Sequence, residues 1–224
     1  WTIALEAEGK SQATVTGYMY SLQDLVRWLD RTRGTTAPDE LTTDLCRRWL
    51  ADQQKKNAPS TAKSRWTGLR SFCAWMADEK ELTPSPMATV KSPHVPDKPA
   101  EMLTLDQVRQ LLAGCEGPLL IDRRDVALVS LFGDTGARLS EIALLAVDDV
   151  DLRAREARVL GKGRRERIVP FGDTTARAID RYKRLRDRQP YAHIPALWLS
   201  GKDGKAMTPN AVQQMFRRRG RTIL

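Results

Sequence analysis

The chain contains few of the residues that mark metal centres, disulfide scaffolds or membrane spans. Its 224 residues include three cysteines and two histidines, and they hold no run of eighteen apolar residues. A membrane-spanning helix needs about 20 predominantly apolar residues, so the sequence predicts none. The first residues also lack the basic and then apolar pattern of an export signal. We therefore expect a cytoplasmic globular protein whose cysteines are reduced and lie in its core.

Positive charge is abundant, and most of the excess lies in the second half of the chain. The net charge is +9, and residues 101–224 hold 23 basic and 16 acidic side chains. The basic residues cluster at 153–167 and 217–221, as is typical of proteins that bind nucleic acid. A solvated, arginine-rich surface would look the same. The candidate nucleic-acid contacts are Lys63, Arg65, Arg70, Arg164, Arg165, Arg217 and Arg218.

The first half of the sequence predicts a small helical bundle. Apolar residues at helical spacing indicate three helices, beginning near Ser11, Thr42 and Pro59. Five prolines between 84 and 100 then predict a stiff, extended linker. The predicted domains are therefore a helical domain at 1–83, a linker at 84–100 and a second domain at 101–224.

The second domain has the pattern of a mixed, mainly helical fold. It opens with a capping box at Thr104, and a central apolar helix is predicted from about 122 to 132. Strand-like patterns follow, and the chain returns to helix at Asp173 and at Thr208. The predicted strands cover 147–152, 157–160, 166–171 and 197–199, with a hairpin turn at Gly161-Lys162-Gly163.

One arginine stands out in the segment T-G-A-R-L-S-E. Its apolar neighbours predict that Arg138 lies against buried surroundings, before a short helix that Ser140 could cap. Because an unpaired buried guanidinium is very costly, Arg138 needs an anionic partner. Glu141 would serve in an internal ion pair, and a bound anion would serve in a ligand site. Lys162, at the tip of the hairpin, is likewise either an exposed turn residue or a functional one.

The order of these motifs resembles the tyrosine recombinases of the phage-integrase and Xer type. The resemblance rests on L-T-L-D-Q-V, T-G-A-R-L-S-E, G-K-G-R-R-E-R-I-V-P, L-W-L-S and M-T-P-N-A-V, in that order. It implies a mainly α fold, with a SAM-like helical core-binding domain and a mainly helical α+β catalytic domain that carries a small antiparallel sheet. It also implies site-specific recombination of double-stranded DNA through a 3′-phosphotyrosine, without metal or cofactor. The implied assembly is a homotetramer on synapsed DNA and a monomer off DNA.

The resemblance also implies roles for single residues. Arg138 matches the arginine that clamps the scissile phosphate, Glu141 its acidic companion and Lys162 the general acid. The family pattern continues with His-x-x-Arg and a terminal tyrosine, and neither occurs here. The histidines are His94 and His193, and the tyrosines, all upstream of the expected nucleophile, are Tyr18, Tyr20, Tyr182 and Tyr191.

Two functions therefore remain open at the level of sequence. We expect a recombinase that lacks its C-terminal segment, so that this chain binds DNA without cutting it. The alternative is a non-catalytic, sequence-specific DNA-binding module. A basic RNA-binding protein is a distant third, because no aromatic stacking motif or Gly-x-x-Gly clamp is present.

Overall fold

A computed structural model describes residues 1–33, 37–82, 84–97, 99, 102–161, 163 and 165–223. The chain forms two compact units, residues 1–100 and 101–224. The predicted fold class, mainly helical with a small antiparallel sheet, is confirmed. None of the helices in the described ranges is both long enough and apolar enough to cross a membrane.

The first unit is helical, and its long helices begin where the sequence predicts. The Ser11 hydroxyl accepts the Thr14 N–H at 3.2 Å, and the Thr42 hydroxyl accepts the Leu45 N–H at 3.3 Å. Pro59 begins its helix, where a missing N–H costs nothing. The elements are α1 (Thr2–Ala7), α2 (Gln12–Arg33), a 3₁₀ turn (Pro38–Glu40), α3 (Thr43–Lys56) and α4 (Pro59–Asp78). Helix α1 is not predicted by the sequence pattern described above.

The core of the first unit lies between α2, α3 and α4. Its buried side chains include Leu25, Leu29, Leu45, Cys46, Trp49, Leu69 and Cys73. Met87 and Val90 are also buried there, and the Trp66 indole N–H donates to the Val90 carbonyl at 3.0 Å. The beginning of the predicted linker therefore packs into the first core.

Over its described residues, the second unit contains five helices and the sheet. Thr104 and Gln107 form both bonds of the predicted capping box, at 3.2 and 2.9 Å. The Thr208 hydroxyl accepts the Ala211 N–H at 3.1 Å, which confirms the predicted cap. The helices are α5 (Leu105–Ala113), α6 (Leu120–Thr135), α7 (Leu139–Ala143), α8 (Asp173–Arg186) and α9 (Pro209–Ile223).

The sheet has three antiparallel strands in sequence order, β1 (Val150–Asp151), β2 (Glu156–Leu160) and β3 (Glu166–Pro170). The predicted strand at 147–152 is wrong over its first half, because Val147–Asp149 form a 3₁₀ turn. The Asp149 carboxylate favours that turn by accepting the Ala146 N–H at 2.9 Å. The predicted strand at 197–199 is also wrong. Leu199 forms an isolated bridge with Ala206, whereas Leu197 and Trp198 lie in no strand, and the buried side chains of all three serve packing.

Packing of α6 against α8 and the sheet forms the second core. Its buried members include Leu128, Leu131, Ile142, Leu145, Val159, Ile179, Tyr182, Trp198 and Met215. The Trp198 indole N–H donates to the Ile142 carbonyl at 2.7 Å. This bond fixes the short helix α7 to the core.

Two buried arginines hold other segments of this unit. Arg186 is 1% exposed, and its guanidinium donates to four backbone carbonyls of the segment that follows α8. These are the carbonyls of Ala192 at 3.2 Å, Ala196 at 2.8 Å, Leu197 at 3.2 Å, and Ile194. Arg124, 4% exposed, pairs with Asp125 at 2.7 Å. Asp125 also accepts from Arg219 at 2.9 Å, which ties α9 to α6.

Candidate active site

The site begins at a tight turn between α6 and α7. Gly136 ends α6 in the left-handed conformation, with φ +57°, and its N–H donates to the Phe132 carbonyl at 3.0 Å. Glycine is the residue best suited to this conformation because it has no Cβ. The backbone is then extended at Arg138, which is the N-cap of α7.

The predicted Ser140 cap is wrong. Ser140 lies within the first turn of α7, and the cap is made by Glu141 instead. The Glu141 carboxylate accepts the backbone N–H of Arg138 at 2.8 Å. This places a negative charge at the helix N-terminus, where the helix dipole favours it.

Arg138 makes the predicted ion pair but is not buried. Its Nη1 donates to Glu141 Oε1 at 2.9 Å, yet 67% of its side chain is exposed. Its apolar neighbours Ala137 and Ile142 do lie in the core. The prediction of a buried Arg138 is therefore wrong, because its neighbours fill the interior and leave the long polar side chain at the surface.

Glu141 is the buried centre of the cluster, and a second arginine binds it more closely than Arg138 does. Only 2% of its side chain is exposed. Arg167, on β3, donates from Nη1 to Oε1 and from Nη2 to Oε2, each at 2.7 Å. This two-bond fork is the strongest arrangement of an arginine and a carboxylate. Two guanidiniums and one carboxylate leave the cluster with a net charge of about +1.

These bonds keep Glu141 ionised. The hydrogen bonds from Arg167 are the largest influence and lower the pKa of Glu141 to about 2, although burial acts in the opposite direction. The bonds from Arg138 lower the pKa further. In turn, Glu141 raises the pKa of Arg167. Glu141 and Arg167 are therefore charged at neutral pH.

Arg167 was not among the candidate catalytic residues, although the sequence carried a signal for it. Arg167 pairs with Val159 in the sheet register, and Val159 is buried. Successive side chains of a strand alternate between faces, so Arg167 shares its face with the buried Val169. An arginine on the core-facing side of a strand requires a carboxylate partner, and Glu141 was already a candidate.

The remaining candidates of the second unit are surface residues or fall outside the description. Lys162 and Arg164 lie outside the described residues. Arg165 is exposed, and its carbonyl accepts the Gly161 N–H at 2.8 Å, which closes the hairpin. Arg217 and Arg218 are exposed on α9.

The basic candidates of the first unit lie on α4. Lys63 and Arg70 are exposed, and Arg65 is half-buried. The Arg70 guanidinium lies 5.0 Å from the centre of the Trp66 ring, a cation–π contact that holds the charge at the surface.

The cavity that borders Glu141 has a volume of about 260 Å³, and its lining includes the carboxylates of Asp149 and Glu166 together with Arg158. Because Arg158 already pairs with Asp149 at 2.9 Å, the cavity lining has more negative than positive charge and does not favour an anion. Over the described ranges, no cluster of three or more His, Cys, Asp or Glu is placed to hold a metal ion.

Tyr182 has a structural role in the second core. It is fully buried, its hydroxyl donates to the Leu197 carbonyl at 2.9 Å, and it accepts the Leu199 N–H at 3.0 Å. Burial raises the pKa of this hydroxyl to about 12. A buried phenol that makes two hydrogen bonds and has that pKa is a poor nucleophile.

Comparison with protein families gives a match for each unit. Residues 101–223 match the model described as "Phage integrase family", and residues 1–80 match "Phage integrase, N-terminal SAM-like domain". The chain is 32% identical to tyrosine recombinase XerD of Bifidobacterium longum, over 95% of this chain and 72% of that protein. It is 29% identical to tyrosine recombinase XerC of Xanthomonas campestris, over 91% of this chain and 62% of that protein.

Solved structures of similar fold come from integrases. A lambda integrase dimer bound to a COC′ core site matches with a TM-score of 0.75 and 16% identity, over 98% of this chain and 60% of that one. A lambda integrase tetramer bound to a Holliday junction matches with a TM-score of 0.74 and 17% identity, over 98% of this chain and 63% of that one. At these identities the likeness concerns the fold.

Proposed function

Because this chain belongs to the phage integrase family of tyrosine recombinases, we propose that it binds double-stranded DNA and takes part in site-specific strand breakage and rejoining. The observation that carries the proposal is the arrangement of Glu141 and Arg138. A buried, ionised carboxylate holds an arginine whose side chain is 67% exposed. That geometry presents a fixed cation to a ligand from solution.

A DNA phosphate suits this cation. Within the described part of the chain, Glu141 occupies only one side-chain N–H group of Arg138. The Nε and Nη2 groups remain for two parallel bonds to phosphate oxygens, a geometry that arginine provides and lysine does not. The net charge of the cluster also complements the single negative charge of a phosphodiester.

In the whole protein, the proposed reaction is phosphoryl transfer to a tyrosine. The tyrosine hydroxyl gives up its proton to water, its oxygen attacks phosphorus, the bond to the 5′-oxygen breaks, and a 3′-phosphotyrosine and a free 5′-hydroxyl form. Arg138 stabilises the negative charge that develops on the non-bridging oxygens. Lys162 donates the proton that the departing 5′-oxygen needs. The reverse step rejoins the strand, so the energy of the phosphodiester bond is conserved.

DNA binding draws on basic surfaces in both units. Lys63, Arg65 and Arg70 on α4 would contact the backbone from the first unit. Arg164, Arg165, Arg217 and Arg218 would do so from the second. Because one structure of similar fold is a tetramer bound to a Holliday junction, we include in the proposal that four copies act on two duplexes.

The proposal is tested by measuring the affinity of the chain for labelled duplex DNA at several salt concentrations. Each neutralised phosphate contributes about −0.9 to the slope of log K against log salt, so roughly six contacts give about −5. Replacing Arg138 by alanine should reduce the magnitude of the slope by about 0.9, because one phosphate contact is lost. The same titration above the dissociation constant gives the stoichiometry.

A matched control removes the same charge elsewhere in the second unit. Arg109 is 75% exposed and pairs with Asp106 at 2.9 Å. We expect Arg109→Ala to leave the slope unchanged. A flat salt dependence for the unmodified chain, or equal effects of the two substitutions, would contradict the proposed function.

A further inference from the structure

We infer that Arg167 is a positioning residue of this site: it occupies Glu141 so that Arg138 keeps its outer face for phosphate. The inference rests on the proposed function and adds to it a residue that acts through others. It follows from how the bonds to one buried carboxylate are divided between two arginines.

The division is unequal. Arg167 occupies both oxygens of Glu141 with its fork, each bond at 2.7 Å. Arg138 donates one side-chain bond, at 2.9 Å to Oε1, and one backbone bond, at 2.8 Å to Oε2. Glu141 therefore has a charged donor on each oxygen before Arg138 is counted, and Arg138 needs only one of its side-chain N–H groups for it.

Removal of Arg167 would change what Arg138 does. A buried ionised carboxylate must find partners, and the nearest charged donor left would be Arg138. Its guanidinium would form the two-bond fork in place of Arg167 and so use the face proposed for DNA. The cluster would also become neutral. Arg167 thus prevents the Arg138 guanidinium from forming a two-bond fork with Glu141, the residue that caps α7.

Gly161 connects the same ion pair to the hairpin. A Cβ at Gly161 would lie 3.3 Å from Arg167 Nη1, tighter than nine in ten real Cβ contacts, and 3.4 Å from Glu141 Oε1. The hairpin backbone therefore packs directly against the Glu141–Arg167 pair, which favours glycine at this position. The residue that follows Gly161 in the sequence is Lys162. One ion pair thus contacts both the Arg138 turn and the base of the hairpin.

A direct phosphate contact by Arg167 is the competing explanation, since 42% of its side chain is exposed. The two explanations differ for lysine. Arg167→Lys keeps the positive charge but cannot bind both carboxylate oxygens in a fork. A positioning role therefore predicts that lysine at 167 does not restore the contact of Arg138 with DNA. A direct phosphate contact predicts that lysine largely restores DNA binding.

The experiment follows two NMR signals in the chain, the Glu141 carboxyl carbon and the Arg138 Nε–H group, with and without a short DNA duplex. In the unmodified chain we expect a Glu141 pKa of about 2 and a shift of the Arg138 signal on DNA binding. In Arg167→Gln the pKa should rise but stay below its usual value of about 4, because Arg138 then makes the two-bond fork with Glu141. The Arg138 signal should no longer respond to DNA, and the affinity should fall about tenfold, as for one lost charged hydrogen bond.

Arg158 supplies the matched control. It lies on the neighbouring strand β2, is 55% exposed and pairs with Asp149 at 2.9 Å rather than with Glu141. Arg158→Gln should leave both NMR signals unchanged. Thermal unfolding of each variant shows whether it is folded, and Arg167→Lys provides the test if Arg167→Gln does not fold.

The outcomes separate this inference from the function on which it rests. If the Arg138 signal of the unmodified chain does not shift when DNA is added, the proposed function is wrong, and so is the inference that rests on it. If that signal responds to DNA equally in the unmodified chain and in Arg167→Gln, only the inference is wrong. Recovery of both affinity and the Arg138 response in Arg167→Lys would also overturn it, in favour of a direct phosphate contact.

Discussion

Replacement of Glu141 by glutamine should remove a component of stability that depends on pH. The bonds from Arg167 and Arg138 lower the pKa of Glu141 from a usual 4.5 to about 2 in the folded chain. Each unit of pKa difference corresponds to about 1.36 kcal/mol, so the ionised carboxylate contributes about 3 kcal/mol. This is a large fraction of the 5–15 kcal/mol that is typical of a folded domain.

The sign follows from the direction of the shift. Because the folded pKa lies below the unfolded pKa, the contribution is fully present above about pH 5 and disappears as the pH falls towards 2. Glutamine has nearly the shape of a protonated glutamate and does not titrate. We therefore expect Glu141→Gln to be about 3 kcal/mol less stable than the unmodified chain at pH 6, and the two to converge near pH 2.

Urea unfolding at several pH values measures this difference, followed by the NMR signal of the Trp198 indole N–H. Trp198 is buried in the second unit and bonded to Ile142 of α7, so its signal reports on the core beside the site. Every other carboxylate is present in both proteins, so its contribution to the pH dependence of stability cancels in the comparison. Asp106→Asn is the control, because its pair with Arg109 is as short as that of Arg138 with Glu141 but 82% of the Asp106 side chain is exposed. Stability curves that run parallel from pH 2 to 7 would refute the reasoning.

Two further predictions concern the buried network and the hairpin. Asp125→Ala should destabilise the second unit by about 3–5 kcal/mol in urea unfolding, because it leaves the buried charge of Arg124 unpaired. Arg219→Met should destabilise it less, since Arg124 still pairs with Asp125. Equal losses of stability would contradict this. In a form of the protein that cleaves DNA, Lys162→Ala should slow cleavage by ~10²- to 10⁴-fold. On DNA whose bridging 5′-oxygen is replaced by sulfur, that defect should disappear while the Arg138→Ala defect persists. The reason is that the sulfur leaves as a thiolate, whose thiol has a pKa of about 8.5, and needs no proton. An undiminished Lys162→Ala defect in single-turnover assays would argue against a general acid.

Local chemistry was enough to predict where most helices begin. Thr42, Thr104 and Thr208 each accept a backbone N–H within their own first turn, and such bonds join residues three apart. The same kind of reasoning found the Arg138–Glu141 pair, because it also spans three residues. The sequence therefore predicted where most helices begin and one of the two arginine pairs of Glu141.

The Ser140 cap and the strand at 147–149 were wrong because Glu141 and Asp149 make local bonds to the backbone, whereas the other misses depended on contacts between distant segments. Arg167 and Glu141 lie 26 residues apart, and only the register of the sheet brings them together. The apolar run at 197–199 looks like a strand, but Trp198 bonds to a carbonyl 56 residues away and the run packs as an irregular segment. A pattern of apolar residues predicts that a segment is buried, but it does not predict which neighbour will satisfy the backbone.

The buried guanidinium of Arg186 bears on how freely the segment after α8 can evolve. Four of its acceptors in that segment are main-chain carbonyls, at Ala192, Ile194, Ala196 and Leu197, and a fifth is the Asp187 carboxylate at 3.3 Å. Every residue type offers the same carbonyl, so these four bonds do not depend on which side chains the segment carries. Its exposed positions can therefore acquire new residues while the backbone keeps its course. A single arginine on a helix thus makes this stretch of surface a place where homologues could diverge in sequence and retain one shape.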